Sequence, residues 1–310
     1  MMRRALVAGL CGVAVFAPLA GAGGSAEPTP VKIGILPLEP TMQAPYAKHR
    51  GMFRKQGIDA EIKVLADPSQ TVSALLSGEI QFVGTHVGAA ASLKSRGAPV
   101  KVVAAGSIHD PKAPTSAVIA AKGKTFRNAR ALGGKTIAMD FPNTIGHLGV
   151  VEWLEDAGAK DVKFSFMPFA QMLGPLTQGT VDAALLPEPY RTLALQAGMK
   201  PVGSTPFRAV CSTPCQLTFW LARADVDQNL VARFRNAIQN ASVWANKDKN
   251  DPISGKILAK YAPIDAKVIA KMARTTFGTR LRVSLAKQWL TVFAKYGVIP
   301  ASFKPIDLVK

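Results

Sequence analysis

From residue 31 onward the chain alternates short apolar runs with amphipathic stretches, and that alternation restricts its fold more than any other feature. "VKIGILPL", "IDAEIKVL", "IQFVG" and "PVKVVAAGS" read as strands. Helical patterns separate them, over residues 42–56 with a stop at Gly57, over residues 69–76, and in "VGAAASLKSRG". Parallel neighbours need a crossover long enough to hold a helix, so this spacing predicts parallel pairing and an α/β layered fold. The pattern then restarts with "SAVIAAK", "KTIAMDF", "VKFSFMPF", "VDAALLP" and "QLTFWLAR". Its helices fall at 126–132, in "TIGHLGVVEWLEDAG", at 169–178 and at 189–197. Beyond Asp225 the sequence is helical almost to its end, near 226–247, 252–261, 265–275 and 283–296.

Two α/β sets and a helical tail therefore share 310 residues, a length suited to one large domain or two moderate ones. The segments around Ser107–Thr115 and Pro206–Cys215 are rich in Pro, Ser and Thr and offer little apolar surface to bury, which suits crossings between lobes. With the tail packed back on the first set, lobe I comprises residues 27–112 and 222–310. Lobe II, residues 113–221, is then an insertion.

The first residues obey different rules. Arg3 and Arg4 give a charged start, Ala5 to Ala17 an apolar stretch, and "AGA" or "GSA" a small-residue cleavage site. This is the three-part plan of a secretory signal peptide, assigned to residues 1–26, which places the mature chain in the periplasm. Losing Arg3 and Arg4 lowers the formal charge from +18 to about +16. The basic residues are scattered among acids, as in "NKDKNDPISGKILAKYAPIDAK", without interleaved aromatic residues, so nucleic acid is not the expected partner. Cys11 leaves with the signal. Cys211 and Cys215, in "VCSTPCQ", are then candidates for a disulfide in an oxidising compartment, and no His or further Cys lies near them in sequence to complete a metal site.

Several ordered segments resemble one family. "VKIGILPLEP", "AKHRGMFRKQGIDAEIKVL", "SALLSGEIQFVGT", "LGGKTIAMDFPNTIGHLGVVEWLEDAGAKDV" and "LTQGTVDAALLPEPY" are similar, in this order, to the nitrate-, sulfonate- and taurine-binding periplasmic solute-binding proteins, a group that includes thiamine-pyrimidine-precursor binders. The resemblance covers residues 31 to about 245. It implies a two-lobe type II (Venus-flytrap) fold with two crossing strands, and a monomer closing on a small-molecule ligand. It also implies delivery of that ligand to the permease and ATPase of an ABC-type importer, without a cofactor or a metal.

Loops after the C-terminal ends of parallel strands converge on a crevice, where helix N-termini present free N–H groups. The first such loop, "PLEPTMQAP", offers Glu39, Met42 and Gln43 to the cleft, with Thr41 as a helix cap. In "VGTHVGAA" Thr85 can cap and His86 stands at a helix start. Ser107 ends a strand where a crossing begins. In "MDFPNTIGHLG", Asn143 or Thr144 caps a helix and Gly146 allows close approach to the backbone, which would suit an anion. Phe169 follows a strand end and is a candidate to line the pocket. Finally, "LLPEPY" places Glu188 at an expected N-cap with Pro189 and Tyr190 opening the helix. In the resembled family this acid-containing turn borders the ligand. Each residue also has a purely structural reading, as a cap or a turn. An acid such as Glu188 in the pocket would suit a ligand bearing N–H or O–H donors.

Two other functions fit the same fold: an extracytoplasmic sensor domain presenting its ligand to a signalling partner, and an enzyme resembling a thiamine-pyrimidine synthase. The latter carries a cysteine-rich segment and a cofactor lysine and histidine. This chain has only Cys211 and Cys215 in its mature part.

Overall fold

The computed structural model describes residues 27–310, so the signal-peptide reading of residues 1–26 lies outside the described residues. Five strands precede the restart: β1 (Thr29–Ile35), β2 (Ile58–Val64), β3 (Phe82–His86), β4 (Val100–Ala105) and β5 (Ser107–His109). Four belong to the second set: β6 (Ser116–Ala120), β7 (Thr136–Met139), β8 (Lys163–Phe166) and β9 (Ala183–Pro187). Three follow: β10 (Cys215–Gln216), β11 (Thr218–Arg223) and β12 (Thr276–Phe277).

These strands form two main sheets, with orders β2-β1-β3-β11-β4 and β6-β9-β7-β8. In the first, β1 pairs in parallel with both β2 and β3, as the helix-length crossovers require. In the second, β7 pairs in parallel with β8 and β9. One strand in each sheet runs against the rest, β11 between β3 and β4, and β6 along β9. A third small sheet, β10-β5-β12, carries the chain across: Ser107–His109 leaves the first sheet and Cys215–Gln216 returns beside it, antiparallel.

The fold is that expected from the sequence, an α/β architecture with two crossing strands and C-terminal helices, but several boundaries differ. Thr218–Leu221, read as the end of lobe II, stands inside the first sheet, because β11 fills the gap between β3 and β4. The helix read over 42–56 is two helices, Gln43–His49 and Met52–Lys55, broken at Gly51, whose φ of 68° lies in the left-handed region. Of the helix read over 265–275, only Ala266–Ile269 forms. The chain then turns through residues 270–272 and leads without regular structure into β12.

Apolar periodicity fixes the packing of the longest helix, Gln228–Ala245. Val231, Phe234, Ile238, Ala241 and Ala245 recur at three- and four-residue spacing and are all buried. Phe234 stacks on Phe82 of β3 with ring centroids 3.8 Å apart, and Trp220 of β11 meets it edge-on. Burying one such side chain contributes about 1.5–3 kcal/mol. The last helix, Lys287–Lys295, lays Phe293 against Gly88 of helix Val87–Ser95, where any larger side chain would collide with the ring. Its exposed end reaches the second set: Lys295 pairs with Glu152 and Glu155 of helix Ile145–Asp156. The tail therefore bridges both sets. No helix among the described residues is long and apolar enough to cross a membrane.

Candidate functional site

A cleft of about 90 Å³ lies where the two main sheets present their loop ends to each other. Its walls come from the C-terminal ends of β1, β3, β7 and β9 and from the N-terminal ends of the reversed strands β6 and β11. From the first sheet come Leu36, Thr41, Thr85 and His86; from the second, Ser116, Asp140, Gly146 and Leu185. A smaller cavity of about 30 Å³, lined by Asp67, Phe169 and Tyr190, continues it and shares Leu36, Pro68 and Asp140.

The polar groups of this largely apolar cleft are few. Thr144 caps helix Ile145–Asp156: its hydroxyl accepts from the His147 N–H at 3.1 Å and donates to Asp140 Oδ1 at 2.9 Å. Asp140 is 9% exposed, forms no ion pair, and burial pushes its carboxyl up to about 6. Gly146 leaves room beside it: a Cβ there would come within 3.0 Å of Asp140 Oδ1 and 2.9 Å of Leu185 Cδ2. Ser116 Oγ is buried without a hydrogen-bond partner. His86 caps helix Val87–Ser95, its Nδ1 accepting from the Ala89 N–H at 3.1 Å, so the neutral ring carries its proton on Nε2. Desolvation holds its pKa down at about 4. Among the described residues, no Lys or Arg lines either cavity.

The structure brings Thr85, His86 and Gly146 of the expected residues to the main cleft, with Thr144 just behind Asp140 and Tyr190 in the adjoining cavity. Phe169 lines both. The others sit elsewhere. Glu39 turns away from the cleft and is fully buried, accepting from Arg274 Nε at 2.6 Å and from the Thr275 N–H at 2.8 Å. Met42 lies in the hydrophobic core. Gln43 is a buried brace: it donates to Ala105 O and Ser242 Oγ and accepts from Trp220 Nε1 at 2.8 Å. Ser107 is spent on Thr218, whose hydroxyl it meets at 2.9 Å. Asn143 is exposed with φ 60°, and Thr144, not Asn143, is the cap. Likewise His86, not Thr85, caps its helix, and Thr41 spends its hydroxyl on the Leu36 and Leu38 carbonyls.

Glu188 is the largest departure. Pro189, joined to it through a cis bond, occupies the cap position of helix Tyr190–Gln196. From one residue earlier the carboxylate still reaches that helix, accepting from the Thr192 N–H at 3.1 Å and its hydroxyl at 3.0 Å. Arg191 pairs with it at 2.9 Å, and the Ala273 N–H of the tail donates at 3.4 Å. Only 1% exposed and fully partnered, Glu188 is a structural node and not a cleft wall. The acid that does line the cleft is Asp140. Its signal was readable in "MDFPNT": a carboxylate at a strand's C-terminal end, four residues before a helix cap. Cys211 and Cys215 are joined as a disulfide, Cα atoms 6.1 Å apart, which ties the end of helix Phe207–Val210 to the start of the return crossing. Among the described residues no group of three or more His, Cys, Asp or Glu could hold a metal ion.

No curated protein matches this chain. Solved structures do. The ligand-binding component of an ABC-type import system from Staphylococcus aureus, with zinc bound, superimposes with a TM-score of 0.76 at 16% identity, over 91% of this chain and 96% of that one. The periplasmic aliphatic sulphonate binding protein SsuA from Escherichia coli gives 0.70 at 19%, covering 92% of each chain. The periplasmic nitrate-binding protein NrtA from Synechocystis gives 0.73 at 19%, over 91% of this chain and 85% of that one. At such identities these likenesses establish the fold, that of periplasmic binding proteins. A family model described as NMT1/THI5 like matches residues 42–251, about two thirds of the sequence, spanning the second main sheet and all of the first except β1. The chain belongs to the NMT1/THI5-like family, with the fold of ABC-importer solute-binding proteins.

Proposed function

We propose that this protein is the extracytoplasmic solute-binding component of an ABC-type importer. It takes one small organic solute into the cleft between its two main sheets, closes around it, and hands it to a membrane permease. The observation that carries this reading is the cleft itself, gathered from strand ends of both sheets, with two short strands carrying the chain between them among the described residues. Hinge strands such as Ser107–His109 and Cys215–Gln216 can absorb the rotation that brings two lobes together. On this reading lobe I is residues 27–112 with the chain from Thr218 onward, and lobe II is the insertion between them. The chain acts as a monomer in the periplasm, exported by a signal peptide over residues 1–26.

A binding role fits the cleft chemistry better than catalysis. Ser116 Oγ has no base in hydrogen-bond contact, and His86 Nδ1 is committed to its helix cap, so no activated nucleophile is assembled. Among the solutes expected from the family, a nitrate or simple sulfonate would find the N-terminus of helix Ile145–Asp156 but no lining Lys or Arg. A solute that also bears N–H donors, as taurine does, finds Asp140 as well.

The test is thermal unfolding of the mature chain, refolded to strip bound solute, against sulfonates, nitrate, taurine, carboxylates, amines and pyrimidines. A ligand at a hundred times its Kd stabilises by about 2.7 kcal/mol, and so raises Tm by roughly 5–10 °C. Absence of a shift with every compound, and of any co-purifying small molecule, would contradict the reading.

A further inference from the structure

The second sheet places a carboxylate and an unpartnered hydroxyl on one apolar cleft. Asp140 follows β7 and Ser116 opens β6; both line the main cavity, at 9% and 4% exposure. Of Asp140's two oxygens, Oδ1 takes the Thr144 hydroxyl, and no cation among the described residues pairs with the carboxylate. Ser116 Oγ, buried in the same wall, has no hydrogen-bond partner among the described residues, and neither has Tyr190 OH in the adjoining cavity. Buried polar groups left open are costly in a folded chain and mark places where something else supplies the partner. Around them stand Leu36, Leu38, Ile145, Phe169, Leu185 and Phe207, which would bury an apolar body.

We propose that Asp140 is the specificity-determining residue of the cleft, and that the solute is an organic amine: an ammonium head on a compact apolar body, with Ser116 Oγ holding a second polar atom of it. The proposal rests on the solute-binding reading of the same cleft and names its ligand class. An ammonium supplies the missing counter-ion and up to three donors to a carboxylate that already sits in low dielectric, where a charge-assisted hydrogen bond is strongest. A sulfonate or nitrate placed there would meet the same carboxylate with the same sign of charge. Discrimination of this kind comes from an unpaired or repelled group in the wrong complex as much as from contacts in the right one.

The other titratable groups facing Asp140 across the two cavities are His86, Asp67 and Tyr190. His86 stays neutral above about pH 4. Asp67 caps helix Pro68–Ser77, and its accepted hydrogen bonds pull its carboxyl below the ordinary value against the effect of burial, so it is ionised through the neutral range. Burial raises the phenol of Tyr190, which stays protonated there. Asp140 is thus the group in the cleft that titrates between pH 5 and 7. Amine binding, which needs its ionised form, strengthens as pH rises through about 6.

The test uses 2-phenylethylamine, 2-phenylethanol and 2-phenylethanesulfonate as probes matched in their apolar part, with taurine and nitrate beside them, against the refolded chain and the Asp140→Asn, Ser116→Ala and Leu36→Trp variants. The expected result is binding of the amine in preference to its alcohol and sulfonate analogues. Asp140→Asn should weaken the amine at least tenfold and abolish its pH dependence, and Ser116→Ala should leave that dependence in place. Tm of each unliganded variant reports that it has folded. Preferential binding of the sulfonate or nitrate, or of taurine with an affinity unchanged in Asp140→Asn, lost in Leu36→Trp, would overturn the amine assignment and leave the solute-binding reading standing. Amine binding unchanged in Asp140→Asn would overturn the role of Asp140. Failure of every probe, together with failure of the wider solute panel, would overturn both readings.

Discussion

Replacing Glu39 with Ala separates a structural clamp from a ligand contact. The Glu39 carboxylate, fully buried, accepts from Arg274 Nε at 2.6 Å and from the Thr275 N–H at 2.8 Å, tying the loop after β1 to the segment before β12. Burial is the largest influence on this carboxyl and raises it above its ordinary value, although Arg274 and the Thr275 N–H pull the other way. Removing one member of a buried pair costs about 3–5 kcal/mol, because the other is left uncompensated. Here Arg274 keeps Ser254 Oγ at 2.8 Å, Asp251 O at 3.1 Å and about a fifth of its side chain in solvent, which softens the loss. The orphaned Thr275 N–H adds about 1–3 kcal/mol. A net loss near 3 kcal/mol is therefore expected for Glu39→Ala, or roughly 6–12 °C in Tm by calorimetry. Glu39→Gln, which retains acceptor oxygen, should lose about half as much. Solute affinity of the folded Glu39→Gln variant should be unchanged. A Tm within about 2 °C of wild type for Glu39→Ala, or a large loss of affinity at unchanged Tm, would refute the clamp.

Other consequences follow from the same geometry. Asp140→Asn should raise the stability of the unliganded chain at pH 7: a carboxyl held near 6 favours its neutral form, so the native state loses stability as pH rises from about 4 to 6, by up to about 3 kcal/mol, and the amide removes that slope. His86→Ala should cost about 1 kcal/mol through loss of its cap; in the wild type, the depressed imidazole contributes stability that is present above pH 6.5 and lost towards pH 4, and acid titration of the variant should show a shallower slope there. Lys295→Ala, although it breaks two ion pairs with Glu152 and Glu155, should cost less than about 1 kcal/mol because the ammonium they share is half exposed and Glu155 with it, and that loss should shrink in high salt. Gly88→Ala should destabilise by about 1–3 kcal/mol in chemical denaturation, since its Cβ would overlap the ring of Phe293.

Much of the architecture was legible because it follows from local periodicity. The apolar runs at 31–38, 58–65 and 183–187 became β1, β2 and β9, and the amphipathic run after Asp225 became helix Gln228–Ala245 with Asp227 as its cap. Where long-range pairing decides, the sequence was silent. Nothing local says that Thr218–Arg223 inserts between β3 and β4, or that a two-residue strand at Thr276 pairs with Ile108. The site was half legible for the same reason. Strand ends and caps identified the loops that wall the cleft, hence Thr85, His86, Gly146 and Phe169. The direction in which Glu39 and Gln43 turn depends on partners far away in sequence. Glu39 turns from the cleft because Arg274 and Thr275 of the tail reach it, and Gln43 because Trp220 and Ser242 do, whereas Glu188 is held mainly by its near neighbours Arg191 and Thr192. Asp140 faces the cleft because no such partner arrives. The role of Glu39 was set by what the last fifty residues bring to it, which no local pattern discloses.

The central claim is that one small solute occupies the cleft between the two main sheets. Calorimetric titration of the refolded mature chain with the solute that shifts its Tm, in parallel with Leu36→Trp, measures this directly. Leu36 is half-buried and borders both cavities, so an indole there fills the space a solute would use while the fold is kept. One equivalent bound by the wild type, and none by a Leu36→Trp variant that still unfolds cooperatively, is the predicted result. Equal binding by the two proteins would place the solute elsewhere and contradict the account.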